Sequence, residues 1–330
     1  MRAPFNMTKI VIKTSKEISD SEWESYKDSF NAVFNKNAKI DDFRQKYLFT
    51  IDEQSYHVFL EATDEEVVGS CTVIPYNYLV FGTMMKTGLA VDVFIREEYR
   101  NDPLILYKMY KTLKQKLLEN KILLVIAVPN DTAYPYWKNI VKWKDIGLID
   151  YYALPLKAGN VIKRKYRFFN FLSYVSSKGM ILLSYFFKSC EKTFPIRIDR
   201  SNDILYKQRY TLEHKIKEIE NVIFAYRVVQ EGDTKSCYLI DFYNKKNNKK
   251  DTKSLRTAIK YIIRYENIDI IIFVGKLSFF QNLLFKVPYK YEPKHLYFTA
   301  DILSAANIKD EQKLLDITNW DFGLFNYDVR

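Results

Sequence analysis

The sequence predicts an α/β protein built of two similar domains. Three observations carry that reading. The chain has 330 residues, more than one typical core takes. Apolar runs of strand length alternate with amphipathic stretches of helix length. The later elements of the second half repeat the order of the first. Hydrophobic residues make up 48% and charged residues 28%, so both halves can bury ordinary cores. Glycine and proline, at 9 each, are too scarce for a fibrous or low-complexity chain.

In the first half, "SDSEWESYKDSFNAVF" offers Ser19 or Ser21 as N-cap and spaces Trp23, Tyr26, Phe30 and Phe34 at helical intervals. "KIDDFRQKYLF" predicts a second, shorter helix. "SYHVFLEA", "EVVGSCTVIPY" and "NYLVFGTMM" predict strands, with turns at Thr63–Glu66 and near Pro75-Tyr76-Asn77. "LAVDVFI" is a further strand, followed by a charged turn and a helix from about Pro103 to Asn120. "ILLVIAV" is a buried-type strand ending at Pro129-Asn130, and a short helix then leads to "GLIDYYALPL" as a last strand.

The second half echoes this order. "FRQKY" (Phe43 to Tyr47) and "YKQRY" (Tyr206 to Tyr210) share one pattern, 163 residues apart. "KSCYLIDFY" predicts a strand, "DTKSLRTAIKYIIRYE" a helix, "IDIIIFVG" a strand, "SFFQNLLFKV" a helix and "KHLYFTADI" a final strand. With the matching order, the repeat reads as a diverged internal duplication. The expected boundaries are 1–156 and 201–330 for the domains, with a basic, apolar helical linker at 157–200.

Charge is unevenly spread. Residues 1–155 hold 20 basic and 21 acidic side chains, 156–200 hold 10 and 2, and 201–330 hold 21 and 17. The net +11 therefore sits mostly in the linker, and neither domain is a basic body of the kind nucleic acid requires. Within the linker, "VIKRKYRFFNFLSYVSSKGMILLSYFFKSCEK" reads as a helix with a thin polar stripe of Asn170, Ser173, Ser177, Ser184 and Lys188. Two readings stand for it: a helix packed between domains, or peripheral membrane contact through residues 161–190, with Lys163, Arg164, Lys165 and Arg167 toward lipid headgroups. Cys71, Cys190 and Cys237 are odd in number and widely spaced, which fits a reducing compartment. The first residues lack the apolar core of a signal peptide, so a cytoplasmic location is expected. His57, His214 and His295 lie in unrelated contexts, so no metal site is expected.

The order of elements, and the strand–turn–helix "DVFIREEYRNDPLILYKMYKTLKQKL" (Asp92 to Leu117), resemble the GNAT superfamily of acyl-CoA-dependent acyltransferases. The resemblance implies two GNAT-like domains, each a mixed, mostly antiparallel sheet flanked by helices. It implies acetyl-CoA or another acyl-CoA as co-substrate, with Val93, Phe94 and Ile95 on the fourth strand along the pantetheine arm. It also implies a pyrophosphate cradle at the following turn, from Arg100, Asn101 and the N–H groups of Leu104 and Ile105. The turn departs from the family's Q/R-x-x-G-x-G/A pattern: neither glycine is present, Pro103 has no N–H, and Asp102 adds negative charge. Asp102 and Pro103 equally suit a plain helix start as N-cap and first helical residue. "VIAVPNDTAYPYWKNI" resembles the closing N-x-x-A-x-x-L-Y segment, with Asn130 implied at the pantetheine and Tyr136 as acid, since Trp137 stands at the family's Tyr position. Asp92, inside an apolar strand, is the candidate base.

The tail "ITNWDFGLFNYDVR" resembles the end of tandem GNAT-like proteins of bacterial surface-polysaccharide synthesis. Together these resemblances imply an acyltransferase acting on an amine or hydroxyl of a small molecule, a nucleotide-sugar or a glycolipid, in the cytoplasm or at the inner membrane face. The alternative is a GNAT-shaped scaffold or binding protein that no longer uses acyl-CoA.

Overall fold

The computed structural model describes residues 8–327 except 64, 163–165, 187–190, 193, 202–203, 212, 278–282 and 305–309. In chain order, β1 (Lys9–Thr14) is followed by α1 (Asp20–Phe34), α2 (Ile40–Leu48), β2 (Tyr56–Glu61), β3 (Val67–Val80) and β4 (Thr83–Ile95). Helix α3 (Ile105–Glu119) leads to β5 (Leu124–Ala127), the short α4 (Tyr134–Tyr136), β6 (Lys144–Leu148) and β7 (Tyr151–Pro155). Then come α5 (Ala158–Ile162), α6 (Phe169–Leu183), β8 (Glu191–Lys192), β9 (Ile196–Ile198) and α7 (Ile204–Arg209). Next are β10 (Lys215–Ile219), β11 (Val222–Glu231), β12 (Thr234–Asn244), β13 (Lys250–Asp251), α8 (Thr252–Tyr265) and β14 (Ile270–Val274). The chain closes with β15 (Phe285–Lys286), β16 (Tyr297–Ile302), α9 (Glu311–Leu314) and β17 (Trp320–Asp321).

Two compact units form, each from separate stretches of chain. The first takes Met1–Gly147, Ile198–Arg209 and Tyr297–Ile317; the second takes Leu148–Arg197, Tyr210–Leu296 and Thr318–Arg330. The first unit's sheet runs β1-β2-β3-β4-β5-β16-β6. Strands β1 to β4 pair antiparallel, β4 and β5 pair parallel across the α3 crossover, and β16 pairs antiparallel with β5. Helices cover both faces. Met109, Tyr110, Leu113 and Leu117 of α3 join Tyr56, Val58 and Leu60 in one core. Trp23, Tyr26 and Tyr47 of α1 and α2 pack edge-on against His57, and Tyr26 also meets Phe59 and Phe94. Strand β2 is thus buried at every position, alternate residues serving opposite faces. Helix α1 starts where its sequence says: Ser19 and Glu22 form a reciprocal capping box.

The second unit's sheet, β10-β11-β12-β14-β7-β15, repeats the plan. Strands β10, β11 and β12 pair antiparallel, and β12 pairs parallel with β14 across the α8 crossover. Helix α8 buries Leu255, Ala258, Ile259 and Ile262, one helical face. Each sheet is completed by a strand from the other half of the sequence. Strand β16 lies between β5 and β6 in the first, and β7 lies beside β14 in the second, from Ile270↔Pro155 to Val274↔Tyr151.

The structure differs from the sequence expectation in several places. No turn occurs near Pro75-Tyr76-Asn77; β3 runs through it. Pairing with β2 ends at Tyr56↔Val73, while β3 continues against β4 through Pro75↔Gly88. The true turn is Phe81-Gly82, both at positive φ (49° and 87°), which splits "NYLVFGTMM" as a tight two-residue hairpin does. "GLIDYYALPL" is divided between β6 and β7, and β1, β10 and β11 are strands the sequence did not announce. For "SFFQNLLFKV", Ser278 to Gln281 and Asn282 lie outside the described residues, while Leu283–Val287 is turn and strand, not helix. Lys163, Arg164, Lys165 and Lys188 of the linker also lie outside the described residues. No described helix is long and apolar enough to cross a membrane.

Strand β16 is tied to α3 through Asp301, which accepts from Tyr110 Oη at 2.9 Å and pairs with Lys114 Nζ at 2.8 Å. Tyr110 is buried, so losing the carboxylate strands its hydroxyl. Asp301→Ala is therefore expected to destabilise the protein by about 1–3 kcal/mol, read as a lowered urea midpoint at unchanged slope.

Candidate active site

The parallel pairing of β4 with β5 runs from Thr87↔Leu124 to Leu89↔Ile126 and stops. Beyond it the strands part, and the β5-side edge of Ala90 to Ile95 has no strand partner among the described residues. The same stretch is bulged: Thr72 pairs with Val91 but Ser70 pairs with Phe94, leaving Asp92 and Val93 opposite Cys71 alone. Asp92 takes φ +48°, a left-handed backbone that only Gly, Asn and Asp adopt readily. Bulges of this kind re-aim a side chain, and here the side chain is a carboxylate.

Asp92 points to the α1/α2 side. Lys46 Nζ reaches its two oxygens at 3.1 and 2.9 Å, and the Tyr47 hydroxyl donates to Oδ2. Tyr47 in turn shares a 2.9 Å hydrogen bond with Tyr26. Burial first, and the Asp92 charge second, raise both phenols well above the usual tyrosine range, so both stay protonated and available as donors. Beside them His57 Nε2 bonds Ser55 Oγ at 2.7 Å and Nδ1 bonds Thr72 Oγ1 at 3.0 Å. Burial without any charged partner pulls His57 down to about 3, so it is neutral at physiological pH. Lys46, Tyr47 and His57 were not singled out as site residues by sequence reasoning. The signal for two of them was present, because Lys46 and Tyr47 end the "FRQKY" motif that had served only as a repeat marker. The second copy of that motif meets the first, Gln208 of α7 donating to the Lys46 carbonyl at 2.7 Å.

The remaining cofactor candidates are placed less openly. Phe94 and Ile95 are buried in the two helix-covered faces, Val93 is half-buried, and so only their backbone faces the parting of the strands. Arg100 Nε donates to Ile95 O at 2.8 Å, and Asn101 donates to Glu98 O at 3.1 Å. At the start of α3 the Leu104 N–H donates to Asp102 Oδ1 (2.8 Å) and the Ile105 N–H to the Asp102 carbonyl (3.1 Å). The Tyr107 N–H donates to Tyr136 Oη at 3.2 Å, and that hydroxyl donates to Pro103 O at 2.7 Å. Lys108 Nζ, 2.7 Å from Asp102, together with the Leu104 N–H holds the Asp102 carboxyl below the usual range. The amides that would cradle a pyrophosphate are thus already bonded within the chain, and Asp102 supplies the negative charge there. Tyr136, its phenol raised chiefly by burial, clasps α3 and makes no contact with Asp92. Asn130 Oδ1 accepts from the Ala133 N–H at 2.8 Å, starting the α4 turn. Trp137 is core, against Tyr110 and Trp143.

In the second unit the corresponding gap is filled from within. Pairing of β12 with β14 ends at Leu239↔Phe273, and beyond it Gly323 bridges Gly275. A Cβ on Gly323 would meet Val274 O at 2.6 Å, so only glycine lets the tail in this close. Lys250, buried just before α8, pairs with Asp241 at 3.2 Å and with Asp321 of the tail at 2.7 Å. Asp251 caps α8 by accepting from the Ser254 N–H.

Residues 14–139 match the family model described as acetyltransferase (GNAT) domain. Among curated proteins none matches the sequence. Solved structures share the fold at low identity. A conserved protein of unknown function from Enterococcus faecalis, a probable N-acyltransferase, is 11% identical with a TM-score of 0.56, over 90% of this chain and 73% of that one. N-myristoyltransferase of Saccharomyces cerevisiae with bound myristoyl-CoA and inhibitors is 11% identical with a TM-score of 0.56, over 89% and 80%. A GCN5-related N-acetyltransferase from Anabaena variabilis is 11% identical with a TM-score of 0.55, over 89% and 74%. Among the described residues no group of three or more His, Cys, Asp or Glu is placed to hold a metal ion.

The buried His57 makes stability depend on pH. Its folded value of about 3 lies below the unfolded one near 6.5, so the unfolded chain binds a proton that the folded chain refuses. Stability is full above pH 6.5 and is expected to fall toward pH 3 by up to about 1.4 kcal/mol per pH unit from this residue. Urea titrations across that window should show the slope in the wild type and a shallower one in His57→Gln.

Proposed function

We propose that the first unit transfers an acyl group from an acyl-CoA to an amine or hydroxyl. The observation that carries this is the parting of β4 and β5 after Leu89↔Ile126, with its bulge at Asp92, inside a GNAT-type domain. Acyl-CoA would lie along the free edge of β4 from Val91 to Ile95, with its pantetheine within reach of Asn130. Arg100, Asn101 and the N–H groups of Leu104 and Ile105 would meet the pyrophosphate once Asp102 and Tyr136 yield those amides. Asp92 would take the acceptor's proton. Lys46 and Tyr47, both bonded to its oxygens, hold the carboxylate in place. Tyr136, whose hydroxyl meets Pro103 O and the Tyr107 N–H at the α3 terminus, would be the proton donor. The second unit, whose counterpart gap holds its own tail, would shape acceptor binding without catalysis. The acceptor class that the sequence resemblance favours is a sugar intermediate of bacterial surface-polysaccharide synthesis, as a nucleotide-sugar or glycolipid.

A second reading has its own observation. The Leu104, Ile105 and Tyr107 amides are already satisfied, and Asp102 would repel a pyrophosphate. On that reading the chain is a GNAT-shaped scaffold or binding protein.

Calorimetric titration with acetyl-CoA and CoA separates the two. The acyltransferase reading expects binding that weakens in Arg100→Ala/Asn130→Ala and tightens about fivefold in Asp102→Asn, which keeps the cap but removes the charge. No binding by the folded wild type and by Asp102→Asn alike would leave the scaffold. Where turnover is measured, Asp92→Asn is expected to lower kcat about 10²–10⁴-fold with acetyl-CoA affinity unchanged.

A further inference from the structure

Helix α6 is amphipathic in the reverse sense. Its polar stripe faces the protein. Asn170 donates to Asn160 Oδ1 at 3.0 Å, Ser173 donates to Leu156 O at 3.0 Å and accepts from the Ala158 N–H, and Ser177 donates to Pro155 O at 3.0 Å. These bonds hold the helix against the end of β7 and against α5. The apolar face is turned outward. Phe168, Phe171, Leu172, Val175, Leu182 and Phe186 recur at helical spacing and are exposed, Phe171 by 78%, Leu182 by 64% and Phe186 by 80%. A helix facing water ordinarily shows the opposite pattern, and a contiguous apolar face of this kind marks an interaction surface.

Cations rim that face. Arg167 and Lys178 are exposed on the α6 segment itself. From α8, the Arg256 guanidinium lies 4.0 Å from the Tyr185 ring centre, and Lys260 Nζ donates to the Tyr185 hydroxyl at 2.9 Å. None of these four cations has a carboxylate partner among the described residues. The sequence between Asp150 and Glu191 carries seven Lys and Arg and no Asp or Glu. Fifteen helical residues rise about 22 Å, short of the roughly 30 Å hydrocarbon core, so the helix suits the plane of a bilayer and not its normal.

We infer that the protein docks peripherally on an anionic bilayer through the outward face of α6, with Arg167, Lys178, Arg256 and Lys260 at the headgroups. The occupant is chosen by combining the two properties. Nucleic acid would use the cations and aromatic rings but leave Leu172, Val175, Leu182 and Leu183 in water. A second copy of the chain would cover the apolar face but set two unopposed cationic rims against each other. Only a surface that is apolar beneath and negative above answers both. This docking is independent of the acyl-transfer reading.

The test is flotation of the full-length protein with vesicles of phosphatidylcholine alone or mixed with phosphatidylglycerol. Binding is expected only with the anionic lipid, falling as salt rises. Lys178→Glu/Lys260→Glu should weaken it by more than an order of magnitude, at about fivefold or more per cation removed. Phe171→Ser/Leu172→Ser/Leu182→Ser should abolish it while circular dichroism stays native, because every substituted side chain is exposed. Three outcomes would overturn the inference: no flotation of the wild type, flotation unchanged in both variants, or a concentration-dependent dimer that the serine variant dissolves while vesicles stay bare. Equal retention on RNA and on vesicles, insensitive to the serine variant, would also overturn it and point to simple polyanion binding.

Discussion

Every other feature of the two sheets depends on where their last strands come from. An open sheet cannot leave the backbone of a central strand unpaired, since a buried N–H or C=O without a partner costs more than most side-chain contacts return. In the first unit that constraint falls on β5, whose partner Thr299–Ile302 belongs to the far end of the sequence. In the second it falls on β14, paired with Tyr151–Pro155 from the end of the first half. The exchange keeps β5 in place beside β4, and so fixes where those two strands part. It also brings Asp301 under α3, whose N-terminus borders the same opening.

The two units solve the parted-strand problem differently. In the second, the tail enters beside β14 and a buried Lys250 pairs with two carboxylates, so the gap is filled by the chain's own atoms. In the first, no strand enters among the described residues, but the helix terminus that borders the opening is quieted by Asp102 and Tyr136. A cradle closed by two side chains is a far smaller barrier to a ligand than one closed by a buried, glycine-dependent segment. That difference is why acyl transfer is proposed for the first unit.

Much of this fold was legible because local signals agreed with the final packing. Ser19 and the helical spacing of Trp23, Tyr26, Phe30 and Phe34 announced α1, and the stretch "DTKSLRTAIKYIIRYE" announced α8. The errors came where a local signal was outweighed. Pro75 looked like a turn but lies inside β3, paired with Gly88 of β4, and the quieter Phe81-Gly82 pair makes the real hairpin. The exchange of β7 and β16 was not legible at all, since both segments read simply as strands and pairing choice has no local signature. For the site, Asp92 stood out as a charge in an apolar strand. Its partner Lys46 did not, because it lies 46 residues earlier on an ordinary helix and is recruited only by tertiary contact.

The exchanged strand also sets an order of events during synthesis. Strand β5 ends at Ala127, and its partner β16 ends at Ile302, 175 residues later. At about 5–20 residues per second, the ribosome needs roughly 9–35 seconds to deliver the missing piece. Through that interval the nascent first unit has most of its strands and helices but an unpaired central edge. The gap between those two strands therefore gives the cell a window in which chaperones, and not the protein's own sheet, must guard β5.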